Sequence, residues 1–102
     1  MNLTEIADKL AATLEAEWLP AGADFLDIQA LCVAEEAGEV VGAYRRFAGK
    51  ARRKGTLEDV RSEIADVLIT VSIFARLLGI DIDSAVEDKL AVIYSRGWSE
   101  SA

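Results

Sequence analysis

Five carboxylates set at helical spacing are the residues of this chain best placed to do chemistry. Glu35, Glu36 and Glu39 lie in the segment EEAGE, and Glu63 and Asp66 lie in EIAD. On an α-helix, residues three and four apart are neighbours on one surface. Each segment therefore presents a local acidic cluster. Both clusters sit among apolar residues, where uncompensated charge is costly. A divalent cation shared between two such helices would remove that cost. Mg2+ suits the role, because it takes a few carboxylates together with water and phosphate oxygens. Two other readings compete: acids solvated or paired with Arg45, Arg61 or Arg76, and a buried ion-pair network that sets helix register.

The elements that hold these acids read as helices. Thr4 is placed to cap a first helix, along which Leu3, Ile6, Leu10 and Leu14 recur toward Trp18. Pro20-Ala21-Gly22 ends it. Asp24 opens a second helix that runs to about Phe47. Glycines bound a loop over 49–55, and Thr56 with Asp59 starts a third helix reaching about Leu78. After a turn at 79–81, Asp83 or Ser84 begins a fourth helix ending near Arg96-Gly97, and a frayed tail follows over 99–102. No segment alternates as a strand would. The expected fold class is all-α: four helices in one domain over 1–102, with the N-terminal helix and turn in 1–22 and the acid-bearing region in 24–98.

Helical projection places the acids relative to the core. On the second helix, Phe25, Ile28, Cys32, Val40, Ala43 and Phe47 share an apolar arc that contains Glu36 and Glu39, with Glu35 at its edge. On the third, Val60, Ile64, Val67, Val71, Phe74 and Leu78 form the main stripe. Glu63 borders that stripe and Asp66 lies further round. The second half of this helix is apolar nearly all round, as expected of a central helix. Ala34, Gly38 and Gly42 form a stripe of small residues, expected where another helix approaches closely.

Composition narrows the function. The chain has 102 residues, 52% of them hydrophobic, which is more apolar surface than one small core can hide. Self-association is expected. A formal net charge of −7 argues against nucleic acid as a partner of a general basic surface. There is no histidine, which removes His-based zinc sites, Ser-His triads and His-bearing di-iron bundles. The single cysteine, Cys32, reads as core filling. MNLTEIADKL lacks the basic start and apolar run of a signal peptide, and the apolar stretch 67–80 is short and broken by Arg76. A cytoplasmic protein without a membrane partner is expected. Lys50, Arg52, Arg53 and Lys54 form a basic loop, either solvated or serving as a lid over substrate phosphates.

Glu36-Ala37-Gly38-Glu39, followed after 23 residues by Glu63-Ile64-Ala65-Asp66, resembles the paired acidic signature of the MazG-like all-α nucleoside triphosphate pyrophosphohydrolases. EEAGEVVGAYRR and LEDVRSEIADVLITVSIFARLLGID resemble the family's second and third helices, and DKLAVIYSRGW its closing helix. The resemblance implies a four-helix MazG-like bundle completed by dimerisation, with a tetramer as the larger form. It implies hydrolysis of a nucleoside triphosphate between the α and β phosphates, with Mg2+ as cofactor and Mn2+ as a substitute. By position, Glu36, Glu39, Glu63 and Asp66 match the metal ligands. Glu35 matches an extra acid that orients or deprotonates the attacking water, a role for which Glu36 is also a candidate. Lys89 and Arg96 match basic positions of the closing helix and, with Lys54, are candidates for phosphate contact. A catalytically silent helical interaction module and a cation sensor or buffer are the alternative readings.

Overall fold

The structure, a computed structural model, describes residues 2–17 and 24–97. Four helices account for nearly all of them: α1 (Leu3–Glu17), α2 (Phe25–Phe47), α3 (Leu57–Leu77) and α4 (Ile82–Arg96). There is no strand among the described residues, so the all-α expectation holds. The Pro20 turn, Trp18, Trp98 and the tail at 99–102 lie outside the described residues.

Local chemistry fixes the helix ends. Asp24 caps α2 by accepting from the N–H groups of Leu26 and Asp27. Thr56 and Asp59 form a reciprocal capping box at the start of α3. Past the ends of α2 and α3, Gly49 and Gly79 adopt φ of 74° and 75°, a left-handed turn that glycine makes without a Cβ clash.

Two expected helix starts are corrected. Helix α4 begins at Ile82, ahead of Asp83 and Ser84, and is capped by Asp81, whose Oδ1 accepts from the Ser84 N–H at 3.1 Å. At α1 the Asn2 side chain accepts from the Glu5 N–H at 2.8 Å, so Thr4 lies inside the first turn. The reason is a tertiary contact. The Thr4 N–H donates to Asp83 Oδ2 at 3.0 Å, and the Thr4 hydroxyl lies 2.6 Å from the same oxygen and 3.0 Å from Asp81 Oδ1. Asp83 and Thr4 are engaged with each other, which ties the starts of α1 and α4 together.

The main interface is the antiparallel α2–α3 hairpin. Ala43 is fully buried there, and the buried Gln29 side chain donates across to the Thr70 carbonyl at 3.2 Å. Such a satisfied buried amide fixes register as well as packing. Helix α1 lies on α3 through the small buried residues Ala7 and Ala11, with an Arg76–Asp8 ion pair at the rim. Helix α3 is thus the central helix, as expected.

Helix α4 touches α1 and α3 only sparsely and buries none of its own residues. The radius of gyration is 16.2 Å, against about 13 Å for a compact 100-residue domain. Leu31, Val41 and Leu57 are 70%, 58% and 63% exposed, which leaves apolar surface uncovered in the single subunit. Along the small-residue stripe, Gly38 has nothing within 4 Å of a built Cβ among the described residues, so no helix of the same subunit approaches it. The α2–α3 contact runs along the Gln29–Ala43 side instead.

Thr56→Ala should remove one half of the capping box and cost about 1 kcal/mol of unfolding free energy. Urea denaturation followed by circular dichroism would measure the loss, with the helical content of the native baseline unchanged.

Candidate metal centre

The α2–α3 hairpin brings the two acidic segments together. Each of Glu36, Glu39 and Glu63 contributes a carboxylate oxygen that lies within 4.8 Å of those from the other two. Helical spacing explains the pairing within α2, since Glu36 and Glu39 are three residues apart. Antiparallel packing explains the third member, because the register that sets Gln29 beside Thr70 brings Glu63 opposite this turn. Asp66, one turn along α3 from Glu63, is exposed and stands outside this trio. Its charge nevertheless reaches both Glu36 and Glu63. Glu35 is exposed on the neighbouring position of α2.

The electrostatics of the trio are unfavourable as they stand. Glu36 Oε2 and Glu63 Oε2 are both buried and accept no hydrogen bond among the described residues. Neither residue takes part in an ion pair among the described residues. Loss of hydration is the largest cause that raises the proton affinity of Glu36, followed by the charges of Glu39, Asp66, Glu63 and Glu35. Loss of hydration also leads at Glu63, reinforced by the charge of Glu39, a hydrogen bond shared with it, and Asp66. Arg46 opposes this rise. Two acceptor oxygens of half-buried glutamates, with no donor among the described residues and beside the exposed Glu39 carboxylate, are a donor set of the kind that a hard cation takes. Two oxygens on opposite sides of one Mg2+ are about 4.2 Å apart, so rotation of side chains is enough to close the trio on an ion. The residues fit the group.

The remaining sequence candidates are dispersed. Lys54 is exposed in the α2–α3 loop, and Lys89 is exposed on α4. Arg96 is half-buried, with its Nε buried and without a hydrogen-bond partner among the described residues. Helix α4 packs mainly on α1 and α3 and forms no substantial interface with α2 that would gather Lys89 and Arg96 around the trio. Cys32 is half-buried rather than core, and burial together with Glu35 and Glu36 pushes its thiol up. Arg46 is a residue that the sequence reading missed. The available signal was its place seven residues beyond Glu39, on the same stripe of α2.

A family model, the MazG nucleotide pyrophosphohydrolase domain, matches residues 27–96, well over half of the chain. The chain belongs to the MazG family. Comparison with curated proteins and with solved structures returns no match. The MazG match begins in the first turn of α2 and takes in all of α3 and α4, and all five acids fall inside it. Helix α1 lies outside the MazG match and supplies packing against α3.

The acid cluster makes a stability prediction with a definite sign. A carboxyl whose folded proton affinity is raised contributes stability below its unfolded pKa, and that contribution is lost as pH rises through the folded value. Glu36 and Glu63 are both of this kind. In chelator-treated protein, Glu63→Gln should melt higher than wild type at pH 7, and the gap should close toward pH 4. Melting curves across that range would test it, and a variant that melts lower at pH 7 would contradict the repulsion.

Proposed function

We propose that this chain is a Mg2+-dependent nucleoside triphosphate pyrophosphohydrolase, cleaving between the α and β phosphates to give a nucleoside monophosphate and pyrophosphate. The observation that carries the reading is the convergence of Glu36, Glu39 and Glu63 with two buried oxygens that lack any donor. Membership of the MazG family supplies the reaction class.

Glu36, Glu39, Glu63 and Asp66 would hold the metal, with Mn2+ as a substitute. Such an ion neutralises charge on the phosphate oxygens and raises the acidity of water. The chain's own residues then have three tasks. Carboxylates on two rigid helices fix where the triphosphate can sit, which lowers the entropic part of the barrier. Glu35, exposed at the edge of the cluster, accepts the proton of the attacking water, with Glu36 as the other candidate base. Lys54, Lys89 and Arg96 supply positive charge to the polyphosphate tail, Arg96 with a fork able to grip two oxygens. Clearing surplus or aberrant nucleotides from the cellular pool is the role that this activity would serve.

The active form is an oligomer, a homodimer or a tetramer built from dimers. Support comes from the apolar surface left open at Leu31, Val41 and Leu57, the thin attachment of α4, and the stranded Nε of Arg96. A partner subunit covering these faces would exclude water from the apolar surface and close the walls around the acids.

Purified protein should release pyrophosphate, and no orthophosphate, from at least one canonical or damaged nucleoside triphosphate when Mg2+ is present. Glu39→Gln and Asp66→Asn should each lower turnover roughly 100-fold or more, reflecting several kcal/mol of lost charge stabilisation, while far-ultraviolet circular dichroism stays helical. Full activity in both variants would refute the ligand assignment. A panel of nucleotides in which none is cleaved, with no Mg2+-linked binding, would favour the silent interaction module. Light scattering should give a mass at least twice the subunit's 11.0 kDa. The double variant Leu31→Glu with Val41→Glu should shift that mass toward one subunit.

A further inference from the structure

Arg46 stands apart from the other cations of the chain. It lies on α2 in line with Glu35, Glu39 and Gly42, residues that recur at offsets of four, seven and eleven along one helical stripe. Side chains of a helix lean toward its N-terminus. The guanidinium of Arg46 accordingly folds back along α2, and its NH1 would lie 3.3 Å from a Cβ built on Gly42. A residue with a side chain at 42 would crowd the strip on which the guanidinium rests. At the base of the same side chain, Gly55 closes the α2–α3 loop over Arg46. Its N–H donates to the Arg46 carbonyl at 3.2 Å, and a Cβ on Gly55 would come within 2.9 Å of the Arg46 Cβ. Two glycines therefore frame one arginine.

The charge so framed is half-buried and has no partner. Among the described residues the Arg46 guanidinium makes no hydrogen bond and no ion pair. It points along the stripe toward the acid trio, close enough for its field to be felt at Glu63 and Asp59. Its neighbour Arg45 behaves otherwise: it is exposed and donates to the Lys50 carbonyl at 3.3 Å. A planar fork with five donors, held beside a cation-binding cluster yet bonded to nothing, is suited to a bidentate anionic group. Phosphate oxygens meet that description, and a polyphosphate anchored at the trio would extend its tail along this face.

Resting on the reading of the trio as a metal and triphosphate site, we propose that Arg46 grips the terminal phosphates of the substrate from the strip that Gly42 leaves open. The residue acts with its fork rather than with charge alone, so lysine does not replace it.

The test uses the full chain and inorganic tripolyphosphate with Mg2+, followed by calorimetry, so that no choice of base is involved. Arg46→Lys should weaken binding about 10- to 100-fold, the size of a lost charge-assisted pair. Gly42→Leu keeps the arginine but fills its strip. It should weaken binding similarly while melting no lower than wild type, since leucine favours a helix interior over glycine. Arg45→Gln removes a charge one residue away and should bind within twofold of wild type. Full affinity in Arg46→Lys or in Gly42→Leu overturns the assignment, as does an Arg45→Gln loss equal to that of Arg46→Lys. Wild-type protein that fails to bind Mg2+-tripolyphosphate overturns the triphosphate site itself, and this inference with it.

Discussion

Repulsion among like charges gathered along the α2–α3 seam is the constraint on which the rest of the molecule depends. Carboxylates at the positions of Glu36, Glu39 and Glu63 would separate if their helices were free to turn or slide. The α2–α3 hairpin prevents this. Ala43 permits close approach, the Gln29–Thr70 hydrogen bond fixes the register, and the Thr56–Asp59 box starts α3 at a defined residue. Part of the folding free energy is used to hold acids where they do not want to be. On the proposed reading of the trio as a metal site, little reorganisation would be needed when a cation arrives.

The hairpin holds the acids, but it does not by itself make a closed protein. Among the described residues, burial concentrates on small side chains, with Ala7, Ala11, Ala43 and Ala75 buried and only Ile73 of the larger aliphatics. Many larger apolar groups remain open to solvent, including several on α2 and α4. The Thr4–Asp83 contact fixes where α4 begins, yet little holds the rest of that helix against its own subunit. A subunit built this way has a rigid centre and an unfinished exterior. The apolar excess in the composition and the exposed faces in the structure are two views of the same property.

Much of this was legible in the sequence because helical periodicity is a strong signal. The grouping of acids within each segment, the loop between glycines and the starts at Asp24 and Thr56 follow from spacing and side-chain chemistry alone. What escaped depended on tertiary choice. Asp83 and Thr4 both have the chemistry of caps, but each found a better partner in the other, and Asp81 and Asn2 took their places. Nor does sequence say what meets the Ala34–Gly38–Gly42 stripe, because a glycine that admits a helix looks the same as one that admits a side chain. At Gly42 the neighbour is Arg46 of the same helix. Asp66 looked equivalent to Glu63 by motif, but its place further round the helix and its shorter side chain leave it outside the converging trio.

The distance of Arg46 from the acids has a physical logic of its own. A cation in direct contact with Glu39 or Glu63 would neutralise the cluster and supply what the seam lacks, leaving less reason for a metal ion to bind. Removed altogether, it would leave the acids with no opposing field, and protonation would compete more strongly with metal. Held about one helical turn away over Gly42, the guanidinium tempers the repulsion at Glu63 without forming an ion pair with it. The Gly55 loop sits against the base of the side chain, and the absence of a Cβ at Gly42 leaves the strip on which the guanidinium rests. Among the described residues, the arrangement leaves both kinds of charge unpaired at close range: carboxylates without a cation in contact, and an arginine without an anion.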